Sequence, residues 1–312
     1  MKIVLYCRDG DRPGWLAALS RHLPDAEVWA WTPETAARQA DYAMVWAPPP
    51  AFFESQQTLK AVFNLGAGVD KILKTPDLAG LLKGAPLVRV QDGGMAVQMA
   101  EYACHALIRH TRGFDVYDRQ QRDKLWKQHP PIVRQEWPVG VMGLGDIGSR
   151  VASAIAGFDF PAFGWSRSAH SIAGVTTFHG EAQFEFFLRE CRVLVCVLPL
   201  NAGTAGIINR RTLEFLKPGA FVINMARGAH IVDADLLAAM ESGHVVGAAL
   251  DVFHDEPLPA SHPYWAHPRV SMTPHIAAIT LYEESTVQIA KKIARIEQGQ
   301  PVEGVVHLAR GY

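Results

Sequence analysis

The chain has 312 residues, 49% of them apolar and 20% charged, which is typical of a globular protein with a sizeable core. Its length predicts about two domains. The formal net charge of -1 gives no long-range attraction to nucleic acid or to an anionic membrane surface, so neither is expected as a partner. An acidic small molecule would have to be held by local charges.

Nothing in the sequence predicts secretion or membrane insertion. Arg8 and Asp11 interrupt the N-terminal apolar run too early for a signal peptide, and no apolar run approaches the length of a membrane span. Cys191 and Cys196 lie in or beside an apolar run and are expected to be buried. The spacing of the four cysteines fits neither a zinc site nor a redox motif, so no metal is expected. They are Cys7, Cys104, Cys191 and Cys196. We expect a cytoplasmic protein.

The first hundred residues alternate strands with helical segments. A helix is predicted at 15–22, and strands are predicted at 3–6, 26–29, 42–46, 61–65 and 87–90. This alternation predicts parallel β-α-β units and a small α/β domain. A long helical segment, residues 98–124, follows, with apolar residues spaced along one face. Its length suits a helix that bridges two domains or lies at a subunit interface.

A glycine-rich turn lies between a strand, 139–142, and a helix that continues through Ile155. Gly143 permits a tight turn, Gly145 lets a pyrophosphate approach the backbone, and Gly148 lets the helix pack on the strand. The intervening Asp146 and Ile147 begin the helix, whose N-terminus favours an anion. The order strand, glycine turn and helix predicts a dinucleotide site.

The alternation of strands and helices continues after this turn. Together with the glycine strand it gives six predicted strands, the number in a full dinucleotide-binding fold. The further strands are predicted at 162–165, 193–198, 220–224, 245–250 and 270–272, and the helices at 182–190, 234–240 and 281–298.

The end of the second strand of this fold selects the nucleotide. An acidic residue there normally holds the ribose hydroxyls of NAD. This chain instead has Ser166, Arg167 and Ser168, and no acid. An arginine can bind a 2′-phosphate through two parallel hydrogen bonds, so NADP is favoured over NAD. The alternative is that Arg167 is an ordinary surface residue.

Three polar segments directly follow predicted strands. They contain Arg227, Glu256 and His275. In a parallel α/β sheet the carboxyl ends of the strands form the ligand-binding edge, so these side chains and the glycine turn are expected at the same edge. Each residue alone could be an ordinary loop residue, and it is their joint placement that indicates a catalytic site.

With these motifs the chain resembles the D-isomer-specific 2-hydroxyacid dehydrogenase family from end to end, and within it the bacterial glyoxylate and hydroxypyruvate reductases. The resemblance rests on the glycine turn and on residues 65–70, 226–228, 251–253, 256–257, 273–275 and 309–312. It implies that His275 is the general acid, that Glu256 orients His275 and favours its protonated form, and that Arg227 holds the substrate carboxylate and polarises the carbonyl. The backbone N–H groups of Ala67 and Gly68, across a cleft between the domains, are expected to complete the carboxylate site.

The resemblance also implies further contacts. Cofactor contacts are expected from Ala226, Asp251, Pro199, Leu200 and Thr204, with Asp251 near the nicotinamide carboxamide. For Thr204 an N-cap is an equal alternative. Trp46, Met95 and Trp126 are candidates for the substrate pocket wall. Core packing is a stronger alternative for Trp46 and Met95 than for Trp126, which lies in the segment through which related enzymes reach the partner subunit's site.

The fold class that we predict is α/β, with two Rossmann-like or flavodoxin-like parallel-sheet domains. An NADP-binding domain, residues 101–280, is inserted into a discontinuous substrate domain, residues 1–100 and 281–312. The expected function is NADPH-dependent reduction of glyoxylate to glycolate and of hydroxypyruvate to D-glycerate by a homodimer. Two alternatives stay open: an NAD-dependent D-2-hydroxyacid dehydrogenase for another 2-oxo acid, and a nucleotide-sensing protein that resembles a corepressor.

Overall fold

The structure, a computed structural model, describes residues 1–311, so Tyr312 of the family-like C-terminal ending lies outside the described residues. The chain divides into two compact units. The first comprises Met1–Met95 and the C-terminal segment that begins at Thr280, and the second comprises Ala96–Ile279. The sequence analysis placed the two domain boundaries between residues 100 and 101 and between residues 280 and 281.

Strands and helices alternate throughout. The strands of residues 1–311 are β1 (Lys2–Tyr6), β2 (Glu27–Ala30), β3 (Tyr42–Val45), β4 (Ala61–Asn64), β5 (Leu87–Arg89), β6 (Val139–Met142), β7 (Ala162–Ser166), β8 (Val175–His179), β9 (Val193–Cys196), β10 (Ala220–Asn224), β11 (Val245–Leu250) and β12 (Val270–Met272). The α-helices of the same residues are α1 (Arg12–His22), α2 (Pro50–Ser55), α3 (Asp70–Leu73), α4 (Leu78–Leu82), α5 (Met95–Thr111), α6 (Phe114–Arg122), α7 (Asp146–Ala156), α8 (Phe184–Glu190), α9 (Arg210–Phe215), α10 (Asp233–Glu241) and α11 (Tyr282–Glu297).

The first unit contains a parallel sheet of five described strands in the order β2-β1-β3-β4-β5, which is the flavodoxin-like order. Helices cover both faces. One core packs α1 and α11 against the sheet through Trp15, Leu19 and Ile289, and the other packs α2 to α4 through residues such as Phe52 and Ile72.

The second unit contains a parallel sheet of seven described strands in the order β12-β11-β10-β9-β6-β7-β8. Successive residues of a strand face opposite sides. In β9, Val193 and Val195 enter the core beneath α5 and α7, whereas Leu194 and Cys196 enter the core beneath α8 to α10. Burial on both faces explains why these strands are continuous apolar runs. The α/β fold class with two such sheets is confirmed.

Two secondary-structure predictions were wrong. The helix predicted at 98–124 is two helices, α5 and α6, because Gly113 adopts a left-handed conformation with φ of 63° between them. The second unit also has seven described strands, one more than the six that the sequence predicts. The missed strand is β8, a half-exposed edge strand whose Thr176 and Thr177 weaken the apolar pattern.

The cysteines are part of the packing. All four lie within residues 1–311, and each is a buried thiol outside any disulfide, so the expectation for Cys191 and Cys196 is confirmed. Burial raises the pKa of the Cys196 thiol to about 12, because the thiolate would lose its hydration there. No helix among the described residues is long and apolar enough to cross a membrane.

The turn between β6 and α7 depends on two of its glycines for structural reasons. Gly143 has φ of 100°, which an L side chain rarely adopts. A Cβ on Gly148 would lie 1.8 Å from the Gly143 carbonyl oxygen, so only glycine lets α7 pack this closely on the turn. At Gly145, by contrast, a Cβ would meet nothing within 4 Å.

These environments predict losses of stability of different size when each glycine is replaced by alanine. Gly148→Ala should lower the free energy of unfolding by about 1–3 kcal/mol or more, because the backbone must move to admit the methyl group. Gly145→Ala should cost less than about 1 kcal/mol, the usual penalty for alanine at an N-cap. Urea unfolding of the unliganded protein measures both. Equal losses of stability in the two variants would contradict this account of the turn.

Candidate active site

The strand order of the second unit reverses between β6 and β9, because β6 has β7 on one side and β9 on the other. In parallel α/β sheets, ligands bind at the carboxyl ends of the strands beside such a reversal. The loops at this edge follow β6, β7, β9, β10, β11 and β12. They carry the second-unit residues that the sequence analysis singled out, apart from Trp126.

The loop after β6 leads into α7, which begins at Asp146 with Ile147 in its first turn. The first N–H groups of a helix have no acceptor within the helix and attract anions. The open space at Gly145 shows that packing does not require a glycine there. A phosphate group that approaches the backbone does require it, so the turn fits a dinucleotide.

The loop after β7 contains the residues predicted to select NADP. Ser166 is buried, and its hydroxyl donates to the Ser168 carbonyl oxygen at 2.7 Å, which shapes the turn. Arg167 and Ser168 are exposed at its surface. A guanidinium on a turn of defined shape is suited to a phosphate group at this strand end.

The loop after β9 is held together by hydrogen bonds between its own residues. The Thr204 hydroxyl donates to the Pro199 carbonyl oxygen at 2.7 Å and accepts from the Asn201 N–H at 2.9 Å. The N-cap alternative for Thr204 was wrong, since the following helix, α9, is capped by Asn209. Thr204 therefore holds the backbone of Pro199 and Leu200 in place at the sheet edge.

The loop after β10 holds Arg227. Asn224 is fully buried; its side-chain oxygen accepts from the Ala226 N–H at 3.2 Å, and its side-chain nitrogen donates to the Arg227 carbonyl at 2.9 Å. His230, also fully buried, accepts from the Arg227 N–H through Nδ1 at 3.2 Å. Nδ1 also lies 3.1 Å from the Arg227 carbonyl oxygen, and Nε2 lies 3.4 Å from the Pro199 carbonyl oxygen. His230 thus connects the arginine loop to the loop after β9.

Gly228 brings the arginine loop against the loop after β11. A Cβ on Gly228 would lie 2.0 Å from the carbonyl carbon of Phe253 and 2.4 Å from the nitrogen of His254. Any larger residue would push the two loops apart. The Phe253 N–H in turn donates to Glu256 Oε1 at 3.1 Å, so the same contact sets the position of the Glu256 carboxylate.

Glu256 and His275 form a pair. Glu256 Oε2 lies 2.8 Å from His275 Nδ1, and the side chains are 32% and 37% exposed, respectively. A carboxylate oxygen accepts, so Nδ1 carries a proton, and the second ring nitrogen, Nε2, is left for a ligand. The partial exposure of the imidazole is what a group that donates a proton to a substrate requires.

The loop after β12 is organised by Asp251, which is fully buried. Its carboxylate accepts from the Thr273 hydroxyl at 2.6 Å and from the N–H groups of Ile276 and Ala277 at 2.8 Å. Its carbonyl oxygen accepts from the His275 N–H at 2.8 Å. The sequence analysis gave Asp251 a role towards the cofactor only, and the structure adds a role in shaping the His275 loop.

The first unit carries four of the predicted substrate residues. The Asn64 side chain at the end of β4 donates to the carbonyl oxygens of Gly66 and Gly68 at 2.8 and 3.0 Å and shapes the loop that contains Ala67. The half-buried Trp46 packs its ring against Gly66. Met95 is buried, 8% exposed, which favours the packing interpretation that the sequence analysis kept open.

Trp126 has a different environment. Its side chain is 97% exposed. The loop that presents it is held by Gln120, which donates to the Lys127 carbonyl at 2.9 Å and lies 2.6 Å from His129 Nε2. A tryptophan this exposed on a buttressed loop has a large apolar surface that binding to another molecule would cover.

Sequence reasoning missed the buttressing residues of the site. Asn224, three residues before Arg227, was given no role, and His230 had none of the signals that distinguish one histidine from another among the 13 in the chain. Asn224 binds backbone groups of Ala226 and Arg227 in the turn that follows it, and His230 contacts the backbone of the distant Pro199. Neither contact produces a recognisable sequence pattern. Within residues 1–311, no group of three or more His, Cys, Asp or Glu side chains could hold a metal ion.

The doubly wound second unit, with Arg227, Glu256 and His275 on its strand ends, defines a nucleotide-dependent dehydrogenase of 2-hydroxy acids. The comparisons agree. Residues 104–277 match the model of the D-isomer specific 2-hydroxyacid dehydrogenase NAD binding domain. The chain belongs to this family, as its sequence motifs led us to expect.

The similarity extends over the whole chain. It is 45% identical to glyoxylate/hydroxypyruvate reductase A of Serratia proteamaculans (strain 568), with 100% of both chains covered. A D-isomer specific 2-hydroxyacid dehydrogenase from Xanthobacter autotrophicus Py2, solved with NADPH and MES, superimposes with a TM-score of 0.93 at 37% identity, covering 100% of this chain and 99% of that one. An NADPH-dependent glyoxylate/hydroxypyruvate reductase from Sinorhizobium meliloti, solved with NADP and sulfate, gives 0.92 at 34% identity over 100% of both.

Proposed function

We propose that this protein is an NADPH-dependent reductase of small 2-oxo acids, which converts glyoxylate to glycolate and hydroxypyruvate to D-glycerate. The observation that carries the proposal is the 2.8 Å contact of Glu256 with His275 Nδ1 at the ligand-binding edge of a dinucleotide fold. The full-length similarity to proteins named glyoxylate/hydroxypyruvate reductase supports the substrate class.

The cofactor in this proposal is NADPH, held by the second unit as its NADP-binding domain. The pyrophosphate would lie at the start of α7, beside Gly143, Gly145 and Gly148, with Asp146 and Ile147 in the first turn. The 2′-phosphate would be bound by Arg167 with Ser166 and Ser168. The further predicted cofactor contacts are Pro199, Leu200, Thr204, Ala226 and Asp251. When bound, NADPH supplies the hydride that adds to the substrate carbonyl carbon.

Proton transfer follows from the pairing of His275 with Glu256. The imidazolium form carries one proton on Nδ1, bound to Glu256, and a second on Nε2. The Nε2 proton passes to the carbonyl oxygen as the carbonyl is reduced. The neutral ring that is left keeps its Nδ1–H bond to Glu256, so it stays in the same orientation and takes up a proton from solvent before the next cycle.

Arg227 binds the substrate in this proposal. Its planar guanidinium matches a carboxylate with an adjacent carbonyl oxygen, and a fixed positive charge stabilises the negative charge that develops on that oxygen. Asn224 and His230 hold the backbone of the loop, and the guanidinium donates to the Ala226 carbonyl oxygen at 2.7 Å, so it is positioned before substrate binds. From the family resemblance, we propose that the backbone N–H groups of Ala67 and Gly68 also bind the carboxylate.

The remaining assignments rest on the resemblance. Trp46, Met95 and Trp126 are proposed walls of the substrate pocket, and the first unit is the proposed substrate domain. We propose a homodimer, supported by the exposed Trp126. A cytoplasmic location is proposed too, and the four buried cysteines, each outside any disulfide, are compatible with a reducing compartment.

The first prediction from the proposed chemistry concerns the pairing of Glu256 with His275. In Glu256→Gln the carboxylate that accepts from His275 Nδ1 becomes a neutral amide, so the imidazole is oriented less firmly. The kcat for reduction should fall about tenfold or more, the usual effect of losing a hydrogen bond to a charged group, while the KM for NADPH changes less than about twofold. Steady-state assays measure both constants. Glu241→Gln, a change in the exposed last residue of α10, is the matched control, and a wild-type kcat in Glu256→Gln would remove Glu256 from the mechanism.

The second prediction concerns cofactor choice. Arg167→Ala should raise the KM for NADPH about tenfold or more, the usual effect of losing a hydrogen bond to a charged group, and change the KM for NADH less than about twofold. NADH lacks the 2′-phosphate and is therefore the internal control. Equal changes for the two nucleotides would show that Arg167 does not contact that phosphate.

A further inference from the structure

The loop that carries His275 is supported by α5, a helix to which neither the motifs nor the proposed mechanism give a role in catalysis. Gln98 and Tyr102 lie one turn apart on this helix, which places them on the same face. Gln98 binds both backbone groups of Ile279, donating to its carbonyl at 2.9 Å and accepting from its N–H at 3.2 Å. The Tyr102 hydroxyl lies 2.8 Å from Thr273 Oγ1. The loop is therefore fixed to α5 on both sides of His275.

The hydrogen bonds at the Tyr102 end have one consistent direction. Asp251 Oδ1 accepts from Thr273 Oγ1 at 2.6 Å, and the other donors to this carboxylate are the backbone N–H groups of Ile276 and Ala277. The single hydroxyl proton of Thr273 is therefore donated to Asp251. Its oxygen must then accept from Tyr102, and burial raises the pKa of Tyr102 to about 12, which keeps that donor protonated.

His275 needs this support because its backbone is in an unfavourable conformation. Its φ is 56°, in the left-handed region that is unfavourable for a residue with a Cβ. Such residues persist only where the surroundings hold them. Here the His275 N–H donates to the Asp251 carbonyl, and the next two N–H groups donate to the Asp251 carboxylate. The conformation in turn places Nδ1 at Glu256.

We propose that Tyr102 is a positioning residue for the proton donor, acting through Thr273 and Asp251 to hold His275 in its left-handed conformation against Glu256. This inference rests on the proposed function of His275 and extends it to α5. Without the Tyr102 hydroxyl, the Thr273 hydroxyl is free to rotate and the Asp251 carboxylate loses a directed donor. His275 can then relax, and its imidazole leaves Glu256 for part of the time.

The kinetic test uses Tyr102→Phe. The rate of NADPH oxidation in a single turnover with glyoxylate should fall about three- to tenfold, the effect of one hydrogen bond, while the dissociation constant of NADPH and the KM for glyoxylate change less than about twofold. In a His275→Ala background the same substitution should have no effect on the residual rate. An equal fall in both backgrounds, or none in either, would overturn the proposal.

Tyr264→Phe is the matched control. Tyr264 is also a buried tyrosine of the second unit, and its hydroxyl donates to Asp233 at 2.8 Å. Losing this bond costs a similar amount of stability, but the single-turnover rate should stay within about twofold of the wild type. If Tyr264→Phe slows the reaction as much as Tyr102→Phe, the effect is one of general stability and the proposal fails.

Thr273 provides a second pair of variants. Thr273→Ser keeps the hydroxyl and should stay within about threefold of the wild-type rate, whereas Thr273→Val, which has the same shape, should lose about ten- to a hundredfold with the bond to the charged Asp251. Adding Tyr102→Phe to Thr273→Val should have no further effect, because the connection is already broken. Similar rates for Ser and Val would contradict a role for the hydroxyl.

A readout that does not depend on turnover separates this inference from the proposed function. The proton on His275 Nδ1, hydrogen-bonded to Glu256, should give a downfield imidazole N–H resonance in NMR spectra, identified by its loss in His275→Ala. It should broaden or disappear in Tyr102→Phe and persist in Tyr264→Phe. If the wild type reduces neither acid, the proposed function fails while this resonance still decides the role of Tyr102; a resonance unchanged in Tyr102→Phe overturns that role.

Discussion

The contact on which the site depends is the approach of Gly228 to the backbone of Phe253 and His254, where a Cβ would lie 2.0 Å from a backbone carbon. This approach joins the loop of Arg227 to the loop of Glu256. The cation that we propose for the substrate carboxylate and the anion that we propose for the His275 imidazole are thereby held on adjacent loops, although each follows a different strand. Geometry of this kind is set before substrate binds, and preorganised charges are most effective in catalysis.

A second constraint lies at the buried Asp251. A buried carboxylate is costly unless donors surround it, and here the donors are the Thr273 hydroxyl and the backbone of the His275 loop. Satisfying the charge therefore also shapes the loop. The left-handed conformation of His275 and its contact with Glu256 depend on this arrangement. Asp251 thus orients the residue that we propose as the proton donor, although it has no proton-transfer role of its own.

Much of the fold could be predicted because it follows from local patterns. Continuous apolar strands such as β9 and β10 are buried on both faces, and the glycines after β6 have identifiable steric reasons. The break at Gly113 was missed because one glycine in an amphipathic run does not reveal its φ. Strand β8 was missed because a half-exposed edge strand has little apolar pattern.

The placement of the candidate site residues at one sheet edge could be predicted for the same reason. Arg227, Glu256 and His275 each follow a strand in a recognisable motif, and parallel strands bring their carboxyl ends to one edge. Their supports, His230 and Tyr102, have no such motif. Tyr102 contacts a residue 171 positions away, and its hydroxyl could be assigned a partner only from the structure. Sequence therefore indicates which groups to propose as reactive, and the structure is needed to see what holds them.

The most direct test of this account is the reduction of glyoxylate and hydroxypyruvate by the purified protein, followed by the loss of NADPH absorbance in the wild type and in His275→Ala. The account predicts steady NADPH oxidation with the wild type and glycolate or D-glycerate as product. In His275→Ala the turnover number should be about a hundredfold to ten-thousandfold lower, the contribution expected of a general acid. The account would be contradicted by a wild type that oxidises NADPH with neither acid, or by a His275→Ala variant with near-normal turnover.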